Sequence, residues 1–232
     1  DEDEDGRRRV IGARTADGQA HHAHTTVLAA GAGSVHLLDF EKQLRPTAWT
    51  LAHVPLTADE AAVYAELPVL FGADRGFFIS PPASEVAAGT PELKICDEHP
   101  GYVHLVAAAA NGSDNAGKVP QPWARDAIPR RSAEAMRALL QATAPQLAGR
   151  PLRRPRLCWD ADTADRLFLI GRHPTAGRLV VATGGSGNGF MNSPAVGVVT
   201  ADLLAGRLEA RLERILGWRP ATAAGRDWLD TQ

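Results

Sequence analysis

The strongest constraint on the fold is an apolar run that ends directly in a glycine-rich loop. Residues 178–183 predict a buried β-strand, and residues 184–189 read Gly-Gly-Ser-Gly-Asn-Gly. Residues 194–205 then predict a helix. Glycines let a ligand approach the backbone, and free N–H groups at a helix start attract electron-rich oxygens. The pattern indicates either a cradle for an anion or cofactor or a plain tight connection, and alone it does not separate the two.

Composition and charge exclude several classes of protein. The 232 residues include 25 Lys+Arg and 27 Asp+Glu, and the formal net charge of −2 offers no basic surface for nucleic acid or an acidic membrane. No apolar run reaches transmembrane length. Cys96 and Cys158 are too few for a disulfide framework and fit a reducing compartment. We expect a monomer that binds neither nucleic acid nor membrane.

The rest of the chain alternates predicted strands with a few helices. Strands are predicted at residues 9–13, 25–30, 45–54, 75–79 and 92–96, the first two as a hairpin around the turn Asp17-Gly18. Thr57 and Ser132 are predicted helix N-caps, and a further helix is predicted at 207–215. Residues 97–102 are polar and turn-like. The mixture indicates an α/β or α+β fold with a substantial sheet.

Two other features allow more than one interpretation. His21, His22 and His24 could bind a metal, but histidines at a polar strand start are more often exposed, and we expect no metal site. The predicted strand at 25–30 ends in Gly31-Ala32-Gly33-Ser34, where a ligand or another backbone could approach closely. A nucleotide-hydrolysing loop at 184–189 is disfavoured, because no Gly-Lys-Ser/Thr follows it.

The motifs around the glycine loop resemble one known family. They are, in order, Cys158-Trp159-x-x-Asp162-Thr163-x-Asp165, Phe168-Leu169-Ile170, His173-Pro174 and Ala182-Thr183-Gly184-Gly185-Ser186-Gly187. They resemble the sarcosine oxidase and fructosyl amino acid oxidase (amadoriase) family of FAD-dependent amine oxidases. Residues 43–53, 70–78 and 92–102 are similar to the fungal amadoriases, so the resemblance spans about residues 9–231.

The resemblance implies an incomplete FAD-binding domain with a mixed-sheet substrate-binding domain of the D-amino-acid-oxidase type. Residues 1–34 and 156–232 would belong to the FAD-binding domain, and residues 35–155 to the substrate-binding domain. The family begins with a Gly-x-Gly-x-x-Gly unit that cradles the FAD pyrophosphate, and nothing before Val10 supplies it. We therefore expect the C-terminal portion of a longer oxidase. The alternative is a truncated, non-catalytic remnant that binds no flavin.

The resemblance also assigns site residues. Cys158 occupies the place of the cysteine that carries FAD as an 8α-S-cysteinyl link; the alternative is a buried, inert thiol. Lys94 matches a lysine that promotes the reaction of reduced flavin with O2, and Glu98 matches a substrate-contacting glutamate. The alternatives are an exposed strand lysine and a turn carboxylate. The remaining candidates for FAD binding are Ala30, Gly31, Gly184, Gly185, Ser186, Gly187, Gly189, Phe190 and Met191.

The substrate is less constrained than the family. Met191 stands where these oxidases usually carry a lysine that meets the substrate carboxylate, and Asn188 replaces a histidine. The resemblance implies oxidation of a small secondary amine to an imine, with O2 reduced to H2O2. N-methyl, fructosyl and saccharopine-like amines all stay open. The expected location is the cytoplasm or the peroxisome.

Overall fold

The computed structural model describes residues 8–72, 75–107, 118–120 and 127–224, without the side chains of 98–100, 106–107 and 118–120. These residues divide into two compact units. The first contains residues 8–46, 105–107, 118–120 and 160–224, and the second contains residues 47–72, 75–104 and 127–159. No helix in the described part of the chain is long and apolar enough to cross a membrane.

The first unit is built on a mixed three-stranded sheet. Its strands, in spatial order, are β11 (Leu169–Arg172), β12 (Leu179–Thr183) and β3 (Thr26–Leu28). β12 pairs antiparallel with β11 and parallel with β3. The predicted strand at 178–183 is confirmed from residue 179 onward, since Arg178 has a positive φ of 63°.

Apolar clusters cover both faces of this sheet. Successive residues of a strand point to opposite faces, so Val180 packs in one cluster with Leu203 while Val181 packs in the other with Phe40. Leu203 belongs to helix α4 (Ser193–Leu204), which confirms the helix predicted after the glycine loop. Helix α5 (Ala210–Leu216) follows, close to the predicted 207–215.

The predicted hairpin of residues 9–13 with 25–30 is wrong. β1 (Gly12–Arg14) pairs instead with β2 (Ala20–His22), whereas β3 pairs with β12. The predicted turn is confirmed, because Gly18 N donates to Thr15 O at 2.9 Å. This turn connects strands of only three residues, so the apolar segment at 26–28 is free to pair in parallel elsewhere.

The second unit contributes most of a five-stranded sheet in the order β10–β4–β7–β6–β5. The strands are β10 (Arg153–Thr163), β4 (Leu44–Pro55), β7 (Glu92–Tyr102), β6 (Gly76–Ile79) and β5 (Leu70–Gly72). β4, β7, β6 and β5 pair antiparallel in succession. The short strands β8 (Leu105–Ala107) and β9 (Lys118–Pro120) form a separate pair in the first unit.

Three helices lie in the second unit. They are α1 (Ala58–Ala65), α2 (Ala83–Ala87) and α3 (Arg130–Thr143). Thr57 is confirmed as the N-cap of α1, in a capping box in which Glu60 N donates to Thr57 Oγ1 at 3.3 Å and Thr57 N donates to Glu60 Oε2 at 2.8 Å. Leu93, Ile95, Met136 and Leu140 are central to the core that joins α3 to the sheet.

Two predictions in this unit are wrong for one shared reason. Ser132 does not cap α3, which begins at Arg130 after Pro129, and residues 97–102 do not form a turn but continue β7. Buried Ser132 Oγ donates to Asp97 Oδ2 at 2.7 Å and lies 2.8 Å from the Tyr102 hydroxyl. The polar side chains that suggested a cap and a turn are therefore satisfied by contacts between α3 and β7.

Candidate functional site

Two small-residue turns meet in the first unit at the carboxyl ends of the parallel strands β3 and β12. Ala30 and Gly31 follow β3, and residues 184–189 follow β12 directly. Thr183 Oγ1 donates to Gly31 O at 3.4 Å and joins the two turns. Ligands of α/β sheets bind at the carboxyl ends of parallel strands. The structure thus brings together the candidates Ala30, Gly31 and those of residues 184–191.

The loop requires glycine at its first position. Gly184 has a φ of 75°, and a Cβ atom there would lie 2.7 Å from Thr163 Cγ2 and 2.9 Å from Leu169 N. Ser186 is buried with a positive φ of 47°, which is uncommon for a residue with a side chain. Hydrogen bonds hold it: Ser186 N donates to Ala161 O at 3.1 Å, and Thr163 N donates to Ser186 Oγ at 3.1 Å.

Asp160 and Arg166 support the loop from outside it, and the sequence analysis missed both. Gly187 N donates to Asp160 Oδ2, and Arg166 Nη2 donates to Ser186 O at 3.0 Å. Arg166 Nη1 also lies 3.5 Å from Asp162 Oδ1. Asp160 is one of the unspecified positions of the motif and Arg166 follows it directly, so only their charge and their nearness to Asp162 in the sequence could have indicated a role.

The loop leaves backbone donors available. Within the described residues, the N–H groups of Gly185 and Gly189 make no hydrogen bond. Phe190 and Met191, the two residues after the loop, are 96% and 72% exposed and precede the N-terminus of α4. Free amides next to a helix start favour electron-rich oxygen atoms. This end of the first unit can therefore bind an anionic or carbonyl-rich edge of a ligand.

The second unit presents Lys94 on one face of its sheet. Lys94 is half-buried on β7, where its direct partners are His53 on β4 and Ile79 on β6. Its neighbours Leu93 and Ile95 belong to the core on the opposite face. The alternative interpretation of Lys94 as an exposed strand lysine is therefore wrong. Glu98 lies within β7, but its side chain lies outside the described residues.

His53 is a second titratable group on this face, which the sequence analysis recorded only as a strand residue. Its Nδ1 is buried and has no hydrogen-bond partner among the described residues. Burial lowers the pKa of His53, and the positive charge of Arg154 lowers it further. Arg154 binds the Glu92 carboxylate and lies 3.5 Å from Glu85 Oε1.

Cys158 lies within β10 as an exposed free thiol, whereas Cys96 is buried. The alternative interpretation of Cys158 as a buried, inert thiol is therefore wrong. An exposed cysteine in mid-strand is held by the backbone yet open to a reagent or ligand, which suits covalent attachment. In the described part of the chain, no group of three or more His, Cys, Asp or Glu side chains could hold a metal ion.

Comparison with known proteins gives consistent results. Residues 1–203 match the family model of FAD dependent oxidoreductases. Amadoriase I from Aspergillus fumigatus aligns with 49% identity and a TM-score of 0.85 over 95% of this chain and 48% of its own. Amadoriase II from the same fungus aligns with 43% identity and a TM-score of 0.88, over 97% and 49%.

L-Saccharopine oxidase of Schizosaccharomyces pombe is 28% identical over 213 residues, which are 90% of this chain and 47% of that protein. The chain therefore spans about half the length of each of these relatives. The family match covers well over half of the chain, and the mixed α/β fold of the chain agrees with that of the amadoriases. The chain belongs to the family of FAD-dependent oxidoreductases.

Proposed function

We propose that this protein acts as an FAD-dependent oxidase of a secondary amine. The observation that carries the proposal is the meeting of residues 30–31 and 184–189 at the carboxyl ends of β3 and β12. Relatives named amadoriase and L-saccharopine oxidase support the reaction class. The reaction converts an R–NH–CH2–R′ group to an imine, which water hydrolyses, while O2 becomes H2O2.

The residues of the first unit fit the polar edge of a flavin. FAD, when bound, supplies the redox chemistry by accepting a hydride and passing two electrons to O2. The free amides of Gly185 and Gly189, near the start of α4, would stabilise negative charge on the ring edge as an oxyanion hole does. Asp160 and Arg166 would keep these donors in place through the bonds to Gly187 and Ser186.

The second unit would provide the reactive side chains. The Lys94 ammonium would lower the cost of forming negative charge on oxygen. Glu98 would contact the substrate amine. Cys158 Sγ would replace one hydrogen of the flavin 8α-methyl group, and O2 would take up the two hydrogens released in this bond formation as H2O2. We propose residues 1–34 and 156–232 for the cofactor-binding part and residues 35–155 for the substrate-binding part.

The substrate class follows in part from Met191. An exposed thioether cannot pair with a carboxylate, so a substrate that depends on a lysine there is disfavoured. Secondary amines whose carboxylate is distant or absent are the better match. A panel of N-methyl, fructosyl and saccharopine-like amines, assayed by H2O2 release, would separate these classes.

The test is the visible spectrum of the purified chain, before and after acid precipitation. We expect flavin absorbance that stays with the pellet, is lost from the pellet in Cys158→Ala, and is unchanged in the control Cys96→Ala. Flavin that remains in the supernatant would retain the oxidase proposal and exclude the covalent link.

A second candidate function is a non-catalytic remnant that binds no flavin. The chain spans about half the length of each of these relatives. A colourless protein, even after expression with excess flavin, would favour this candidate. It would overturn the oxidase proposal for this chain.

A further inference from the structure

His53 and Lys94 are direct neighbours on two antiparallel strands. In the register of β4 and β7, His53 lies opposite Lys94, between the pairs Ala52–Ile95 and Val54–Leu93. Residues directly opposite each other in such a pair project to the same face, with Cβ atoms about 4.5–5.5 Å apart. The flanking pairs are buried in the core of the other face, which fixes the face on which His53 and Lys94 lie.

The surroundings of His53 contain four charged groups. They are Glu92 and Lys94 on β7, Arg154 on β10 and Glu85 on α2. Arg154 contacts Glu92 Oε2 and Glu85 Oε1, and these two contacts occupy the guanidinium, while Glu85 Oε2 has no hydrogen-bond partner among the described residues. Lys94 is thus the one charged neighbour of His53 for which the described residues provide no ion pair.

The buried Nδ1 of His53 makes no hydrogen bond within the described chain. A buried polar atom without a partner is unfavourable and is uncommon in folded proteins. A neutral imidazole with its proton on Nε2 presents Nδ1 as an acceptor, and a lysine ammonium offers three donors on a flexible stem. The missing donor and the unengaged ammonium therefore complement each other.

We propose that His53 is a positioning residue for Lys94, and that rotation of the Lys94 side chain brings its ammonium to the neutral Nδ1 of His53 as a hydrogen-bond donor. The contact between His53 and Lys94 does not depend on the proposed function. Its consequence, the placement of a cation for reaction with O2, does rest on that function. Protonation of His53 would remove the acceptor and add a like charge beside Lys94. Burial and Arg154 lower the pKa of His53, so the neutral form persists at more acidic pH than in an exposed histidine.

The first test needs no flavin. NMR of the full chain would follow the 15N-labelled Lys94 ammonium and the His53 ring as pH is lowered. We expect ammonium protons that are protected from solvent exchange in the wild type and in His53→Gln, whose amide oxygen can also accept. In His53→Leu, exchange should be faster by about tenfold, the equivalent of one modest hydrogen bond.

His173→Gln in the first unit is the matched control and should leave the Lys94 signal unchanged. Lys94→Met tests the pair from the other side, and the pKa of His53 should rise when the neighbouring ammonium is lost. Equal exchange in His53→Gln and His53→Leu would overturn the proposal, as would a His53 titration unaffected by Lys94→Met. Unfolding midpoints of the variants would show that each is folded.

A second readout applies to the flavin-loaded enzyme. His53→Leu should lower kcat/KM for O2 about tenfold with an unchanged KM for the amine, and His53→Gln should restore most of it. An effect on the amine KM alone would contradict a role directed at Lys94. A chain that binds no flavin would remove the oxidase proposal, while the exchange measurement would still decide whether His53 holds Lys94.

Discussion

The two candidate regions of this protein are made from different parts of the chain. The loop at 184–189 offers backbone N–H groups held by glycine conformations, whereas the sheet face of the second unit offers the side chains of His53 and Lys94. Backbone donors do not titrate, so the donors themselves depend on the shape of the loop and not on pH. Side chains on a strand accept many substitutions sterically, but their chemistry depends on charge. The comparison predicts that the loop is the more sensitive region to added side-chain atoms and that the sheet face is the more sensitive region to acid.

The largest effect is expected from Gly184→Ala. The new Cβ would overlap Thr163 and the Leu169 backbone at a φ of 75°, and we expect it to lower the free energy of unfolding by about 2–4 kcal/mol. Gly189→Ala is the control, because its Cβ would approach nothing closer than Gly185 Cα at 3.8 Å. Urea denaturation measures both. Equal losses in the two variants would show that the loop is not held by close packing.

The second prediction concerns the side-chain network of the second unit. Ser132→Ala removes the donor to the buried Asp97 carboxyl and the contacts to Thr50 and Tyr102. We expect a loss of about 2 kcal/mol in the free energy of unfolding, because a buried polar group is left unsatisfied. Ser193→Ala, exposed at the start of α4, should be neutral. A neutral Ser132→Ala would mean that water or another donor replaces the hydroxyl.

These cases separate what the sequence predicts from what it does not. The strand, glycine loop and helix at residues 179–204 follow from a local pattern of apolar residues and glycines, and that pattern predicted them within about one residue. Ser132 and residues 97–102 were predicted wrongly because Asp97 and Tyr102 have their side-chain partner in Ser132, which lies 35 and 30 residues away in sequence. Local rules assign a serine to a cap and a polar run to a turn.

The candidate site shows the same limit. The glycine loop and Lys94 could be named from motif and resemblance, whereas the supports Asp160 and Arg166 required knowledge of which backbone atoms lie near them. His53 was visible in the sequence, but its relation to Lys94 depends on a strand register across 41 positions. Register is set by the pairing of whole strands and has no local signature.

A third prediction tests the charge dependence of the second unit. Arg150 binds Glu60 through two bonds of 2.5 and 2.7 Å, and this contact, with the Thr57 amide, lowers the pKa of Glu60. The stabilisation is present above the ordinary value of 4.5 and is lost as pH falls through the lowered one. Glu60→Gln keeps the capping box but should cost about 1 kcal/mol at pH 7.

Below the lowered pKa of Glu60 the variant and the wild type should have the same stability. Glu134→Gln, which removes an exposed pair with Arg130, is the control and should change stability at neither pH. Urea midpoints at pH 7 and pH 3 measure the effect. A Glu60→Gln loss that persists at pH 3 would assign the effect to packing instead of charge.

The smallest expected effect compares two histidines. Burial lowers the pKa of both His53 and His173, so each histidine binds a proton more readily in the unfolded protein than in the folded one. The free energy of unfolding should therefore fall as pH drops from about 6.5 through the lowered pKa values. His173 Nδ1 accepts from Thr175 N and Ala176 N, whereas no described residue donates to His53 Nδ1 in this structure.

Replacing either histidine by asparagine should reduce the stability lost between pH 7 and pH 5 by about 0.5 kcal/mol or less. His173→Asn should have the stronger effect on the slope, because protonation at Nδ1 also breaks two backbone contacts. Denaturation midpoints across this pH range measure the slope. A stronger effect of His53→Asn would instead mean that the charges around His53 dominate.

The parallel pairing of β3 with β12 has a consequence for synthesis on the ribosome. These strands are separated by about 150 residues of chain, and the whole second unit is encoded between them. The second unit can complete its own core while β3 still lacks its neighbour. Arg219 then binds Asp165 and four backbone carbonyls from positions 167, 168, 216 and 217. We therefore expect the first unit to close last, after residue 219 has left the ribosome, and the apolar edge of β3 to stay unpaired until then.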